Sequence, residues 1–121
     1  MTPAEALRAV CDAWGAGDPE AASGLFAADG VYEDPLYPAP LTGPEAIRAG
    51  MVEGMGAIED CRVTLDPVIE EGDRVLAVGF FASRLRESGE RFDFPFAILV
   101  EMRHGQIARL AEYFDTRPLV P

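Results

Sequence analysis

The chain has 121 residues, enough for one ordinary domain and too few for two, and its 49% hydrophobic content can bury a real core. Ten basic residues against 21 acidic ones give a formal net charge of −11, spread along the chain, so phosphate backbones and anionic membranes would be repelled as partners. All ten basic residues are arginines, which excludes lysine Schiff-base chemistry, and the single histidine stands in Arg103-His104-Gly105, which reads as a hairpin tip.

Thr2-Pro3-Ala4-Glu5 is a helix start, with a cap, a proline in the first turn and a glutamate at capping-box spacing. Leu7, Val10, Cys11 and Trp14 follow at helical spacing, and Gly15 and Gly17 end the helix. Asp18-Pro19-Glu20 caps a short second helix carrying Ala22, Leu25 and Phe26, and Asp29-Gly30 turns the chain. Val31 to Asp34 is a short strand stopped by Pro35, and the stretch to Pro40 is proline-rich loop. Thr42-Gly43-Pro44-Glu45 starts a third helix with Ile47, Met51 and Met55 on one face. Strands are expected at 61–69, 74–86, 90–102 and 106–115, with turns at Glu71-Gly72-Asp73, Ser88-Gly89 and His104-Gly105. Helices followed by a long meander predict one α+β domain over residues 1–121.

A tight turn at Ser88-Gly89 sets Arg84 opposite Asp93, as a cross-strand ion pair, and Phe80 opposite Ala97. Phe81, Phe92, Phe94, Phe96 and Ile98 then share the other face. Both faces are apolar, one needs cover beyond the helices, and a homodimer through the Phe81, Phe92, Phe94 and Phe96 face is expected. No stretch is long enough to span a membrane, and the N-terminus has neither the basic start nor the apolar run of a signal peptide. A cytoplasmic protein is expected, with Cys11 and Cys61 reduced. No metal cluster or cofactor motif is present in the sequence, so any catalysis must rest on carboxylates, assisted by tyrosine, cysteine or water.

Three helices before a curved sheet, Val31-Tyr32-Glu33-Asp34-Pro35, Leu41-Thr42-Gly43-Pro44-Glu45-Ala46-Ile47, Gly17-Asp18 and His104-Gly105-Gln106-Ile107 together resemble ketosteroid isomerase and the SnoaL-like polyketide cyclases of the nuclear transport factor 2 superfamily. The resemblance implies a cone-shaped roll, with three N-terminal helices on a curved, mostly antiparallel sheet around one pocket. Asp34 matches the general base of ketosteroid isomerase, an enzyme that pairs its base with an oxyanion hole built from a tyrosine and a protonated aspartate. By ungapped spacing those two donors fall on Val10 and Ala97, neither of which can donate a hydrogen bond. Glu112, in Ala111-Glu112-Tyr113-Phe114-Asp115, falls where limonene epoxide hydrolase and the cyclases carry a catalytic aspartate. The hydrolase's Arg-x-Asp pair reads Gly79-Phe80-Phe81 here, so the cyclases are the fuller match.

Each candidate residue has two readings. Asp34 is a general base at the pocket mouth or a turn-forming aspartate bonded to nearby backbone N–H groups. Glu112, in phase with Ala108, Leu110 and Phe114, is a catalytic acid/base or one half of a salt bridge, for example to Arg84. Tyr32 and Tyr37 either orient a substrate oxygen or pack. Trp14, Phe80, Ala97, Leu99 and Phe114 are core residues that would double as substrate-binding wall. The resulting expectation is a cofactor-independent isomerase, cyclase or dehydratase acting on a small, largely apolar ring compound. The alternatives are a non-catalytic module that binds a hydrophobic ligand or dimerises, and an epoxide hydrolase-like enzyme lacking the usual triad.

Overall fold

The computed structural model describes residues 1–119. Helix α1 (Pro3–Ala16) opens on the Thr2/Glu5 capping box and closes on Gly17, whose φ of 65° is the left-handed geometry glycine adopts without strain. Helix α2 (Pro19–Ser23) is capped by Asp18, whose side chain accepts from the Ala21 N–H. It stops short of Leu25 and Phe26, because Phe26 begins strand β1 (Phe26–Glu33). Asp29-Gly30 lies inside that strand, at a register shift between Phe26 and Val31, instead of turning the chain. Gly30 is needed there: a Cβ would stand 2.9 Å from the Ile107 carbonyl oxygen.

Strand β2 (Leu41–Thr42) and helix α3 (Pro44–Gly56) follow the proline-rich loop. The long strands are β3 (Ile58–Glu71), β4 (Arg74–Leu85), β5 (Phe94–Arg103) and β6 (Gln106–Tyr113). The six strands form one curved, open sheet in the order β2-β1-β6-β5-β4-β3. All pairings are antiparallel except β1 with β6, which run parallel. The α+β roll with three helices on a mostly antiparallel sheet is therefore as expected. No helix among the described residues is long and apolar enough to cross a membrane.

The helices cover one face of the sheet. Leu7 and Val10 of α1 and Ile47 and Met51 of α3 are buried against Phe96, Ile98, Val100 and Leu110. At about 25 cal/mol per Å² of apolar surface removed from water, this shared core is the main favourable term holding helices to sheet.

Two register details matter, and the first differs from the expectation. The β4–β5 turn is a four-residue loop, closed by Leu85 N–H to Glu90 C=O at 2.8 Å. This sets Arg84 opposite Arg91, not Asp93. Asp93 accepts instead from the Ser83 N–H and from Arg91, each at 3.0 Å.

The β5–β6 hairpin does turn at His104-Gly105, with positive φ at both residues. A bulge then intervenes, because Met102 pairs with Ile107 whereas Glu101 pairs with Arg109, leaving Ala108 unpaired. One extra residue exchanges the faces. Counting back from the tip without it would set Ala97 opposite Glu112. The bulge sets Ile98 there.

The helix-covered face is the one carrying Phe81, Phe94, Phe96 and Ile98, not the one carrying Phe80, Ala97 and Leu99, and the bulge turns Glu112 towards it. The expected dimer face is the inside of the fold. Outside, Leu76, Val78 and Phe80 are 47%, 47% and 44% exposed.

Candidate active site

The helices do not fill the space over the sheet. Between α1, α3, the β1–β2 loop and the inner face lies a cavity of about 210 Å³. Its lining is mostly aromatic. Phe94 stacks between Phe81 and Phe114, with ring centroids 4.9 and 4.3 Å away, and Trp14 meets Phe81 edge-on at 6.0 Å. Phe92 and Phe96 complete the β5 side, Ile58 and Val63 the β3 side, and Val10 and Cys11 the α1 side. The indole N–H of Trp14 is buried without an acceptor.

Two carboxyl groups enter this apolar space from different strands. Glu112 projects from β6 opposite Ile98, and Asp34 stands just past the end of β1, which runs alongside β6. The Asp34 side chain does two jobs. Its Oδ1 accepts the Leu36 N–H at 2.8 Å, the turn-forming role, and its Oδ2 accepts the Tyr32 hydroxyl at 3.3 Å. The turn-forming reading of Asp34 therefore holds, and the turn fixes a carboxylate that lines the cavity.

Burial pushes the Glu112 carboxyl well above the ordinary glutamic acid range. The charge of Asp34 and a hydrogen bond shared with it act in the same direction, and a hydrogen bond with Tyr32 opposes them. No arginine lines the cavity. Arg84, the salt-bridge partner considered for Glu112, donates instead to the Gly89 carbonyl at 3.2 Å on the surface. Glu112 thus faces Asp34 in the cavity and is not paired with Arg84.

Tyr32, Tyr37 and Cys11 keep their protons at neutral pH. Burial first, then the charges of Glu112 and Asp34, raise the Tyr32 phenol well above its usual value. Tyr37 is pushed up to about 12, by burial and then by Asp34 and Glu112. The Cys11 thiol is raised to about 12, chiefly by burial, so it is no thiolate nucleophile. Tyr37 spends its proton on the Gly50 carbonyl, at 3.1 Å, and packs edge-on against Tyr32. It serves as wall, and its hydroxyl is not a free donor.

Of the expected site residues, the structure brings together Asp34, Glu112, Trp14, Tyr32, Tyr37 and Phe114. It separates Phe80, Ala97 and Leu99 from them. All three lie on the outer face by the alternation along β4 and β5, and the Ala108 bulge turns Glu112 to the other face. Their places are taken by Phe81, Phe94, Phe96 and Ile98. Val10 does line the cavity, while Ala97 does not. Of Gly79-Phe80-Phe81, only Phe81 reaches it. The missed wall residues carried a signal, an unbroken aromatic alternation Phe92, Phe94, Phe96, but alternation alone does not say which side is covered.

A cone of helices over a mixed sheet, with carboxyls inside an apolar cavity, defines a class, and comparison with known proteins agrees. Residues 7–110 match the family model of the SnoaL-like domain, and the chain belongs to that family. A search of curated proteins found no match. Among solved structures, a protein of ketosteroid isomerase-like fold from Catenulispora acidiphila, in complex with trimethylamine, is 30% identical with a TM-score of 0.84, over 95% of this chain and 88% of that one. A proposed polyketide cyclase from Pseudomonas putida is 23% identical with a TM-score of 0.78, over 99% and 96% of the two chains. A proposed isomerase from Bacillus subtilis is 21% identical with a TM-score of 0.82, over 93% and 86%. The last two likenesses bear on fold alone.

Proposed function

We propose that this chain, acting as one module over residues 1–121, is a cofactor-independent acid–base enzyme of the isomerase, cyclase or dehydratase type. Its substrate is a small, largely apolar ring compound. The observation that carries this reading is the convergence of Glu112 and Asp34, without a countercharge, in a cavity walled by aromatic rings. Protonated Glu112 is the acid, Asp34 is the base that takes a proton from carbon, and the Tyr32 hydroxyl orients Asp34. The fold class of the relatives and the small amine bound by the Catenulispora protein support a cavity that admits a small molecule.

The test is exchange of ring C–H protons with deuterated water across a panel of cyclic ketones and enones, followed by proton NMR. Glu112→Gln should slow the exchange by about 100-fold or more, the usual contribution of a positioned acid or base. Asp34→Asn should do likewise. Parent-rate exchange in both variants would leave the carboxyls structural and the cavity a binding module.

The reading extends to a cytoplasmic homodimer. The two free cysteines suit a reducing compartment. Ile69, Leu76, Val78, Phe80 and Tyr113 form one exposed apolar patch on the outer face, replacing the contact surface expected from sequence. Phe80→Glu should halve the mass seen by light scattering at micromolar concentration. A wild-type protein already monomeric there would refute the dimer.

A further inference from the structure

The cavity is lined by three carboxyl groups, Asp34, Glu53 and Glu112, and by no arginine or histidine, although the chain has ten arginines. The arginines are used elsewhere. Arg109 holds Glu33 and Glu101 on the outer face, and Arg86 and Arg91 hold Glu59 and Asp93 at the rim of the β4–β5 hairpin. The acidic groups of the cavity have no such partner. Asp34 accepts the Leu36 N–H and the Tyr32 hydroxyl, both neutral donors. The groups that face Glu112 are Asp34 and Tyr32 from β1 and its exit, Tyr37 from the following loop and Cys11 from α1, and none carries positive charge.

Around these carboxyls stand ring faces. An aromatic face is the negative end of a quadrupole and attracts cations, most strongly where water is excluded. An anionic ligand would meet repulsion from both the carboxyls and the rings. A purely neutral ligand would leave the Asp34 carboxylate without a countercharge. One class satisfies both surfaces.

We infer that the cavity takes an organic cation, a protonated tertiary amine or a quaternary ammonium, whose alkyl groups lie on Trp14, Phe81 and Phe114 and whose charge sits against Asp34 and Glu112. The inference rests on the cavity being a ligand site, and it names the substrate class for the acid–base reading. The positive charge favours the ionised form of Glu112, so a bound cation eases release of the proton that Glu112 donates as the acid.

The experiment uses the full chain and its one tryptophan, Trp14, which lies in the cavity wall and reports occupancy by fluorescence. The protein is titrated with choline and with dimethylbutanol, in which a carbon replaces the charged nitrogen and the shape is kept. Choline should bind about tenfold or more tightly than the uncharged isostere. Its affinity should rise with pH through the range in which Glu112 ionises and then level off, while that of dimethylbutanol stays flat. Glu112→Gln or, if that variant does not fold, Asp34→Asn should reduce the preference and flatten the pH dependence. Equal or tighter binding of dimethylbutanol overturns the inference and leaves the ligand site standing. If neither probe nor any cyclic ketone of the exchange panel perturbs Trp14, both the inference and the ligand-site reading fall.

Discussion

Phe80 and Phe81 are neighbours on β4, yet their surroundings are opposite. Phe81 stacks on Phe94 in the cavity wall, and Phe80 is 44% exposed on the far side of the sheet. The same division runs through the glutamates. Glu112 faces inward with no cation and is pushed toward its neutral form, whereas Glu33 and Glu101 face outward and bind Arg109 at 2.6 and 3.1 Å. Residue type therefore does not decide the role on this sheet. Both faces carry aromatic and aliphatic rows, and both carry carboxylates. What separates them is the lid of helices, which excludes water from one face and leaves it incompletely filled.

Truncating one ring from each face puts this division to its most severe trial. Phe94 is 8% exposed and is in contact with four other aromatic rings, so Phe94→Ala should cost about 3–5 kcal/mol in urea unfolding. Phe80→Ala, measured in protein dilute enough to be monomeric, should stay within about 0.5 kcal/mol. Equal losses would mean that the faces are not energetically distinct.

A smaller effect tests the carboxyls. Glu112 has a folded-state pKa raised above its unfolded value, so between the two values the folded state holds a proton that the unfolded state has released. Its contribution to stability is therefore full below the ordinary glutamic acid range and is lost as pH rises through the raised value. The melting temperature of wild-type protein should fall across that window, and Glu112→Gln should remove the fall. A wild-type profile that rises through the window would contradict burial of an uncompensated carboxyl.

The smallest effect is on the outer face. Glu101→Gln breaks one arm of the Arg109 cluster, whose side chains are 36–38% exposed, and solvent screening limits the loss to less than about 1 kcal/mol. Its pH profile should follow the parent's. A loss comparable to that of Phe94→Ala would show that this surface is buried by a partner.

Much of the architecture can be read from the chain. Capping at Thr2 and Asp18, the proline at the start of each helix, and the glycine turns at residues 72 and 105 announce where elements begin and end. These are local effects, decided by a few neighbouring backbone groups. The carboxyls are legible for a related reason. An acidic residue in an apolar row, as at Glu112, and an aspartate held between a strand and a proline, as at Asp34, stand out whichever way the strand faces.

The wall of the cavity is not legible to the same degree. Alternation along β4 and β5 sorts Phe81, Phe94, Phe96 and Ile98 from Phe80, Ala97 and Leu99, but it is symmetric between inside and outside. The unpaired residue at Ala108 breaks that symmetry relative to Glu112, and nothing about an alanine in a strand announces a bulge. The elements, their order and the two carboxyls are written in the chain itself, because they depend on local chemistry. Which aromatic row the carboxyls face is settled only in three dimensions, because register is set by long-range pairing, and a single extra residue reverses it.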